Sequence, residues 1–419
     1  MIDQRGLGRE LDRRGLAEWC VVERDQELGW VDDAVVRAEQ RTRWQVTAHD
    51  DSPAGRGSAR LAIDGVDGSP RDVVDQALAL ARAAVGVAWQ ASPQGAPARV
   101  KLADPALDKR RPSDVAAALV HDLPRPSGAT VTARASCLRE HASASSHAGF
   151  RTSWLATRVR VDALVARGER SLAIVREARR LSDLELDAAI ADALEDLELL
   201  AAAGPATAGP CTLVLAADAM LDDGLGVWAA FASQADAVTE REGLTRYREG
   251  AAIAPGAAEL AEPLDITSDG ALDFGVRSAP IGDDGDAVRA FPIVRGGIAV
   301  GLGLSPREAA LRRRDPNGGV RNLEVAAGSW TSELGVVSSD RVIEVRRLRG
   351  LAIDRYTGHA SLELALAIDR GTGKPLYGGT IRLDLIDELA RARRSATIVR
   401  RGPYVGPSAV LIDRAELLA

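Results

Sequence analysis

Apolar and polar positions alternate over most of this chain and switch to a three-and-four spacing in a few segments. Residues 18–50 predict paired strands, with AEWCVVERD carrying apolar residues bounded by charges and VVRAEQRTRWQVTAHD continuing the pattern. DSPAGRGS (51–58) predicts a turn and ARLAID a further strand. Ser69-Pro70-Arg71-Asp72 predicts a capping box with proline at the first helical position. The helix it opens has Val74, Leu78, Ala81 and Val85 on one face. Residues 90–113, with Pro93, Pro97, Pro105 and Pro112, predict irregular chain. ATVTARASC (129–137) and ATRVRVDALVAR (156–167) predict strands. Ser182-Asp183-Leu184-Glu185 predicts a second capping box before a long helix carrying Leu186, Ile190, Leu194 and Leu197.

AAAGPATAGP (201–210) is small, uncharged and rich in Pro and Gly, which predicts a linker. It divides the chain into an N-terminal domain, 1–204, and a C-terminal domain, 205–419. TLVLAAD then predicts a strand. GLGVWAAFASQADAVTEREG (224–243) predicts one helix, with Leu225, Trp228, Phe231, Ala235 and Val238 on its apolar face. Beyond about residue 260 strands dominate. RAFPIVRGGIAVGLG predicts a hairpin across Gly296-Gly297. RNLEVAAGS, RVIEVRRLRGLAIDRYTG, HASLELALAIDRGTGKPLYGGTIRLDL and SAVLID alternate, interrupted by one helix, DLIDELARARR. The expected fold class is α+β: a mixed α/β N-terminal domain followed by a β-rich C-terminal domain.

The 419 residues are 46% hydrophobic and 27% charged, globular values with enough apolar material for real cores. A net charge of −7 gives no global basic field, so no nucleic-acid partner is expected. Arg312-Arg313-Arg314 and Arg346-Arg347 read as solvated surface arginines. Lysine is nearly absent beside abundant Arg and Ala, which reads as GC-rich coding. Cys20, Cys137 and Cys211 are odd in number, far apart and without a CxxC, against a disulfide framework or thiolate zinc site. The opening MIDQRGLGRELDRRG has no apolar core, and no run approaches 18 apolar residues, so a soluble cytoplasmic protein with no membrane partner is expected.

Candidate chemistry is sparse. His141 and His147 are six apart, which on a helix places them about 240° apart, the wrong spacing for one metal; a solvated loop is the expectation. Asp283, Asp284 and Asp286 around Gly285 lack the remaining ligands of a calcium loop and predict a tight turn. Asp222-Asp223 suits the N-terminal end of a helix. GGIAVGLG (296–303) and GTGKP (371–375) lack the context of a phosphate loop and read as hairpin turns. No G-x-S-x-G is present, and Ser329 in AAGSW has no local histidine. The residues read alone supply no catalytic constellation and no metal site.

The order of segments nevertheless resembles the TldD/PmbA (TldE) family, also called modulators of DNA gyrase. The resemblance runs through AEWCVVERD and its hairpin, the RDVVDQALALARAA helix, SHAGF (similar to the family's Asn-Ser-x-Gly-like turn without its Asn) and CTLVLAADAM. It is most specific in DDGDAVRAFPIVRGGIAVGLGLSPREA. It continues through RNLEVAAGS, LRGLAIDRYTGHASLELALAIDRGTGKPLYGGTIRLDLIDEL and GPSAVLID. The resemblance implies a two-domain α+β fold and a heterodimeric peptidase. TldD-like subunits carry His-Glu-x-x-x-His on a helix, converging two ligands on zinc while Glu activates water. TldE-like subunits lack the motif and help enclose the peptide channel.

Laid ungapped on 224–243, that motif puts Gly226, Val227 and Phe231 where His, Glu and His would stand. A shifted register gives Asp222, Asp223 and Val227. The family's C-terminal Cys ligand has no counterpart in SATIVRRGPYVGPS (395–408). The expectation is therefore a TldE-like, non-catalytic subunit with no cofactor of its own. Zinc is expected in a TldD-like partner and an unfolded peptide between the two, held by strand addition. The competing expectations are a stand-alone peptide-binding or scaffold protein, possibly a homodimer, and an enzyme of different chemistry built on Asp283, Asp284 or His359.

Overall fold

The computed structural model describes residues 2–16, 18–32, 35–65, 67–90, 95–221, 224–331 and 341–419. Seven antiparallel strands form the first sheet: β1 (Glu18–Asp32), β2 (Val35–Ser52), β3 (Gly55–Asp64), β4 (Val85–Gly86), β5 (Thr130–Ser146), β6 (Arg151–Arg167) and β7 (Arg170–Ala178), in the order β4-β3-β2-β1-β5-β6-β7. Alternation fixes its faces. Trp19, Val21 and Val31 of β1 point to the helix-covered face, and Cys20 and Val22 to the other. Helices α1 (Gln4–Arg13) and α2 (Pro70–Ala83) cover one end of the first face, burying Leu7, Leu11, Val74 and Leu78 against Trp19, Trp44 and Val46. Helices α3 (Pro112–His121) and α4 (Leu186–Ala202) cover the other end, over β5 to β7.

Local chemistry explains where these helices start. The Ser69 side chain accepts from Arg71 N–H with Pro70 in the first turn, so Ser69 caps the helix as expected, but through Arg71 and without the reciprocal bond of a box to Asp72. Val85 lies past the helix end, exposed in β4, because the helix stops at Ala83. The second capping box does not form. Leu181–Leu184 make a 3-10 turn, and Glu185 enters α4 at φ 47° with no side-chain cap. Helix α3 begins at Pro112, at the end of the stretch read as irregular, and runs on past it, its Pro112 being a helix-starting residue rather than a breaker. Its first turn crosses Gly29 so closely that a Cβ there would stand 2.0 Å from the Ser113 nitrogen. Pro93 lies outside the described residues. The turn read at 51–58 is shorter, since β2 runs to Ser52 and β3 begins at Gly55.

Every strand from Gly204 onward lies in two further sheets. These strands are β8 (Gly204–Pro205), β9 (Gly209–Ala216), β10 (Ile266–Asp269), β11 (Ala290–Arg295), β12 (Ile298–Ala299), β13 (Asn322–Val325), β14 (Val342–Ile353), β15 (His359–Asp369), β16 (Lys374–Tyr377), β17 (Thr380–Asp384), β18 (Arg393–Arg394), β19 (Ile398–Arg401), β20 (Tyr404–Pro407) and β21 (Ala409–Leu418). Strand β14 pairs with both β9 and β15, which closes β14-β9-β21-β17-β15 into a barrel. The other sheet runs β12-β11-β10-β13-β20-β19. Gly296 and Gly297 turn the β11-β12 hairpin at φ 57° and 71°, values that favour glycine. Five short helices fill the space between: α5 (Ala217–Met220), α6 (Ala229–Gln234), α7 (Ala237–Arg241), α8 (Pro306–Leu311) and α9 (Leu385–Arg391). They share one large core with both sheets. This is the α+β, β-rich architecture expected. No described helix is long and apolar enough to cross a membrane.

Polar contacts join the two halves. Arg179, just past β7, is buried with no carboxylate on it. Its guanidinium donates to the carbonyls of Gly275 (2.7 Å), Ser278 (2.9 Å), Val276 (3.2 Å), Thr157 (3.3 Å) and Leu102 (3.4 Å). Asp196 of α4 accepts from Arg346 (2.5 Å) and Arg347 (2.7 Å) of β14. The arginine pair read as solvated is therefore turned inward; a bulge in β14 between Val345 and Arg347 breaks the alternation. Arg312, also read as solvated, is tied to Glu240 and the Ala237 carbonyl.

Arg179→Ala strands buried carbonyls on both halves and is expected to cost on the order of 3 kcal/mol. Arg179→Lys should recover part of the loss, because one ammonium cannot span five acceptors. Denaturant midpoints of the two variants check this, and an unchanged midpoint in Arg179→Ala would refute it.

Candidate functional site

The 224–243 segment is not one helix. Gly226–Trp228 form a 3-10 turn, α6 ends at Gln234, and α7 begins after Asp236. The chain at Gly303 causes the break: its N–H donates to Ala235 C=O (2.8 Å) and its C=O accepts from Ala237 N–H (3.4 Å). Asp236 then caps α7, accepting from Thr239 N–H (2.9 Å) and its hydroxyl (2.7 Å). Val238, expected on the apolar face, is consequently exposed.

The structure places Gly226, Val227 and Phe231 in the C-terminal core, each essentially without solvent contact. None offers a ligand atom. Gly226 adopts φ 50°, and a Cβ there would stand 1.8 Å from the Met220 carbonyl oxygen. The backbone therefore leaves no room for a histidine. Trp228 packs on Phe231 (ring centroids 6.0 Å apart) and stacks on Tyr404 (5.9 Å). Tyr404 begins β20, inside the 395–408 segment where the resemblance looks for a cysteine ligand. The two segments thus meet through aromatic rings, and the residues present do not fit a zinc ion. Asp222 and Asp223 lie outside the described residues. Among the described residues, no three His, Cys, Asp or Glu side chains converge on a possible metal position.

The other candidates are dispersed. His359 is exposed, 3.9 Å from Asp384, and Asp384 is held by Arg246 through two 2.7 Å bonds. Both line an open groove of about 630 Å³ on the barrel wall. Asp283 and Asp284 instead sit on the first sheet, paired with Arg60 at 3.4 and 2.6 Å. His141 lies on β5 rather than in a loop, and His147 in the β5–β6 turn accepts from Trp19 N–H. All three cysteines are buried and free, with burial pushing the Cys20 and Cys137 thiols up to about 12. The 281–288 segment is the tight turn expected, with Gly282 N–H donating to Asp286 C=O (2.8 Å). Asp286 itself is buried, and burial together with the Asp284 charge pushes its carboxyl up to about 7.

Sequence reasoning missed Tyr404 and a carboxylate centre at Asp218. Asp218 of α5 receives Arg347 (2.8 Å), Arg176 (2.9 Å) and Arg401 (2.8 Å). Burial would raise its carboxyl, yet the three guanidiniums hold it below the ordinary range. Asp218 and its three arginines come from four separate stretches of chain, so no local spacing announces them.

Residues 211–417 match the family described as PmbA/TldA metallopeptidase C-terminal domain. No curated protein matches the chain. Among solved structures, the fold is similar to that of a proposed modulator of DNA gyrase from Bacteroides thetaiotaomicron, covering 100% of both chains (TM-score 0.77, 15% identity). A proposed modulator of a DNA gyrase from Thermotoga maritima is similar over 98% of both chains (TM-score 0.75, 15% identity). TldE from Thermococcus kodakarensis is similar over 99% of both chains (TM-score 0.76, 14% identity). At these identities the likeness is one of fold.

Two outcomes are expected. Gly226→Ala forces a side chain into left-handed backbone against a carbonyl and should lower stability by about 2–3 kcal/mol, measured by thermal unfolding. Because the Asp286 carboxyl is raised above its unfolded value of 3.8, the native state binds the extra proton. Its contribution is fully present below about pH 4 and is lost as pH rises through about 7. Asp286→Asn should flatten that part of the stability–pH curve; an unchanged curve would contradict the assignment.

Proposed function

Because this chain belongs to the TldD/PmbA family, we propose that it is the TldE-like, non-catalytic subunit of a heterodimeric TldD/TldE zinc metallopeptidase acting on unfolded peptides or small proteins. The observation that carries this reading is the filling of the motif position. Gly226, Val227 and Phe231 are core residues packed toward Tyr404, and the Gly226 backbone has no space for a ligand side chain. A segment built this way stabilises the fold and leaves metal chemistry to another chain. Zinc and the water-activating glutamate would belong to a TldD-like partner.

This chain's contribution would be surface. Among the described residues, 35–41 of β2 pair only with β1, since β3 pairs with residues 43–52 and Gly65 N–H donates to the Thr42 carbonyl. Strand β19 ends the six-stranded sheet, with Ile398 exposed. Such edges carry unpaired backbone groups that an extended peptide or a partner strand can extend.

The test is coexpression with a chain from the same genome that bears His-Glu-x-x-x-His. The two should copurify, and cleavage of an unstructured peptide should require both and disappear with a zinc chelator. Full activity of the metal-bearing chain alone, unchanged when this chain is added, would refute the reading.

A further inference from the structure

Strand β2 outruns the strand beside it. It pairs with β1 without a register break from Val35 to His49, whereas β3 reaches only Arg43, and the Gly65 N–H closes on the Thr42 carbonyl (2.8 Å). Among the described residues, 36–40 therefore keep one free edge, and all of them are exposed, Val36 at 51%. The Thr42 carbonyl faces Gly65, away from β1. Backbone groups alternate along a strand, so the N–H and C=O of Val36, Ala38 and Gln40 also point away from β1, onto the free edge. Those of Arg37 and Glu39 point to β1.

A free edge is a template for another strand, and charged side chains normally bar indiscriminate pairing. Here the charges select one match. In an antiparallel pair, edge-facing residues lie opposite edge-facing residues. Two copies of this edge centred on Ala38 put Val36 opposite Gln40 and Arg37 opposite Glu39, each twice by symmetry. Sliding by one hydrogen-bonded step puts Arg37 opposite Arg37. Sliding the other way puts Glu39 opposite Glu39 and Arg37 opposite Arg41. Unlike charges directly opposite are favourable and like charges are not. Arg37 and Glu39 also fall at the non-hydrogen-bonded positions, where side chains come closest. Within the chain Glu39 makes a loose 3.9 Å contact with Arg41, whose Nε already donates to Gln26 (2.9 Å).

We propose that residues 36–40 are a dimerisation edge whose occupant is the same segment of a second copy of this chain, paired antiparallel about a two-fold axis at Ala38. Each Ala38 N–H donates to the Ala38 carbonyl of the other copy, and Val36 and Gln40 exchange the same bonds. The interface is isologous and joins the two seven-stranded sheets into one. Pairing stops before Thr42, where Gly65 holds the edge, so the contact is small and the dimer is of micromolar affinity. The proposal concerns this chain with itself, needs no metal-bearing partner, and is tested without one.

The test is sedimentation of the full chain over about 1–100 μM, where a micromolar dimer passes from monomer to dimer. Glu39→Arg sets like charges opposite and should weaken the dimer at least tenfold, and Arg37→Glu combined with Glu39→Arg should restore it. Ala38→Pro removes a donor that faces away from β1 and should leave a folded monomer. Should that variant fail to fold, cross-linking decides. The native cysteines are buried, so Ala38→Cys under mild oxidation should give a disulfide-linked dimer across a pair spaced about 5.5 Å. Val36→Cys should not, because its own copy lies roughly 13 Å further along the strand. A wild-type chain that stays monomeric would overturn the proposal, whatever else binds at this edge. So would a dimer indifferent to Glu39→Arg, a charge swap that fails to restore it, or equal cross-linking at both positions.

Discussion

One guanidinium holds the two halves of this molecule in register. Arg179 leaves the end of the first sheet and meets carbonyls from the 102 segment, from β6 and from the 275–278 loop. No carboxylate neutralises it, so its stability depends on five backbone acceptors that converge only in the folded state. Burial pulls its basicity down to about 10, with Arg158 adding to the effect, and it remains charged at neutral pH. The Asp196 and Asp218 clusters add to the seam: Asp196 of α4 holds the adjacent Arg346 and Arg347 of β14, and Asp218 is shared by arginines from β7, β14 and β19. Breaking such a pair leaves an uncompensated buried charge, which makes the seam specific as well as tight.

Core packing sets what the 226–231 segment can do. The segment is folded into the C-terminal core between the barrel and the six-stranded sheet, and its rings pack against β20. Gly226, Val227 and Phe231 therefore serve packing here. The left-handed Gly226 makes this a property of the backbone as well as of the side chains. Replacing side chains alone would not create a metal centre there, because the main chain at Gly226 would have to move away from the Met220 carbonyl.

Much of the fold was legible in local chemistry. The β1-β2 hairpin, the Ser69 cap, the Gly296-Gly297 turn and the alternating C-terminal strands follow from side-chain periodicity and turn residues. The errors share a cause. The segment 224–243 reads as one amphipathic helix, but the chain at Gly303, some seventy residues away, inserts its backbone groups at Ala235 and Ala237. Arg346 and Arg347 read as surface charges until α4 brings Asp196 against them. Ser182 reads as a cap, but the left-handed Glu185 starts the helix instead.

The sequence by itself determined the element types, the α+β class and the identity of the residues at the motif positions, because these depend on neighbours within a few residues. Tertiary structure decided where the helix breaks, which arginines are buried, and that Tyr404 meets Trp228. The gathering of Arg176, Arg347 and Arg401 on one carboxylate was settled there too. These arrangements bring together groups separated by tens to hundreds of residues. Their energies arise from burial and charge in the folded interior, which no local window of sequence contains.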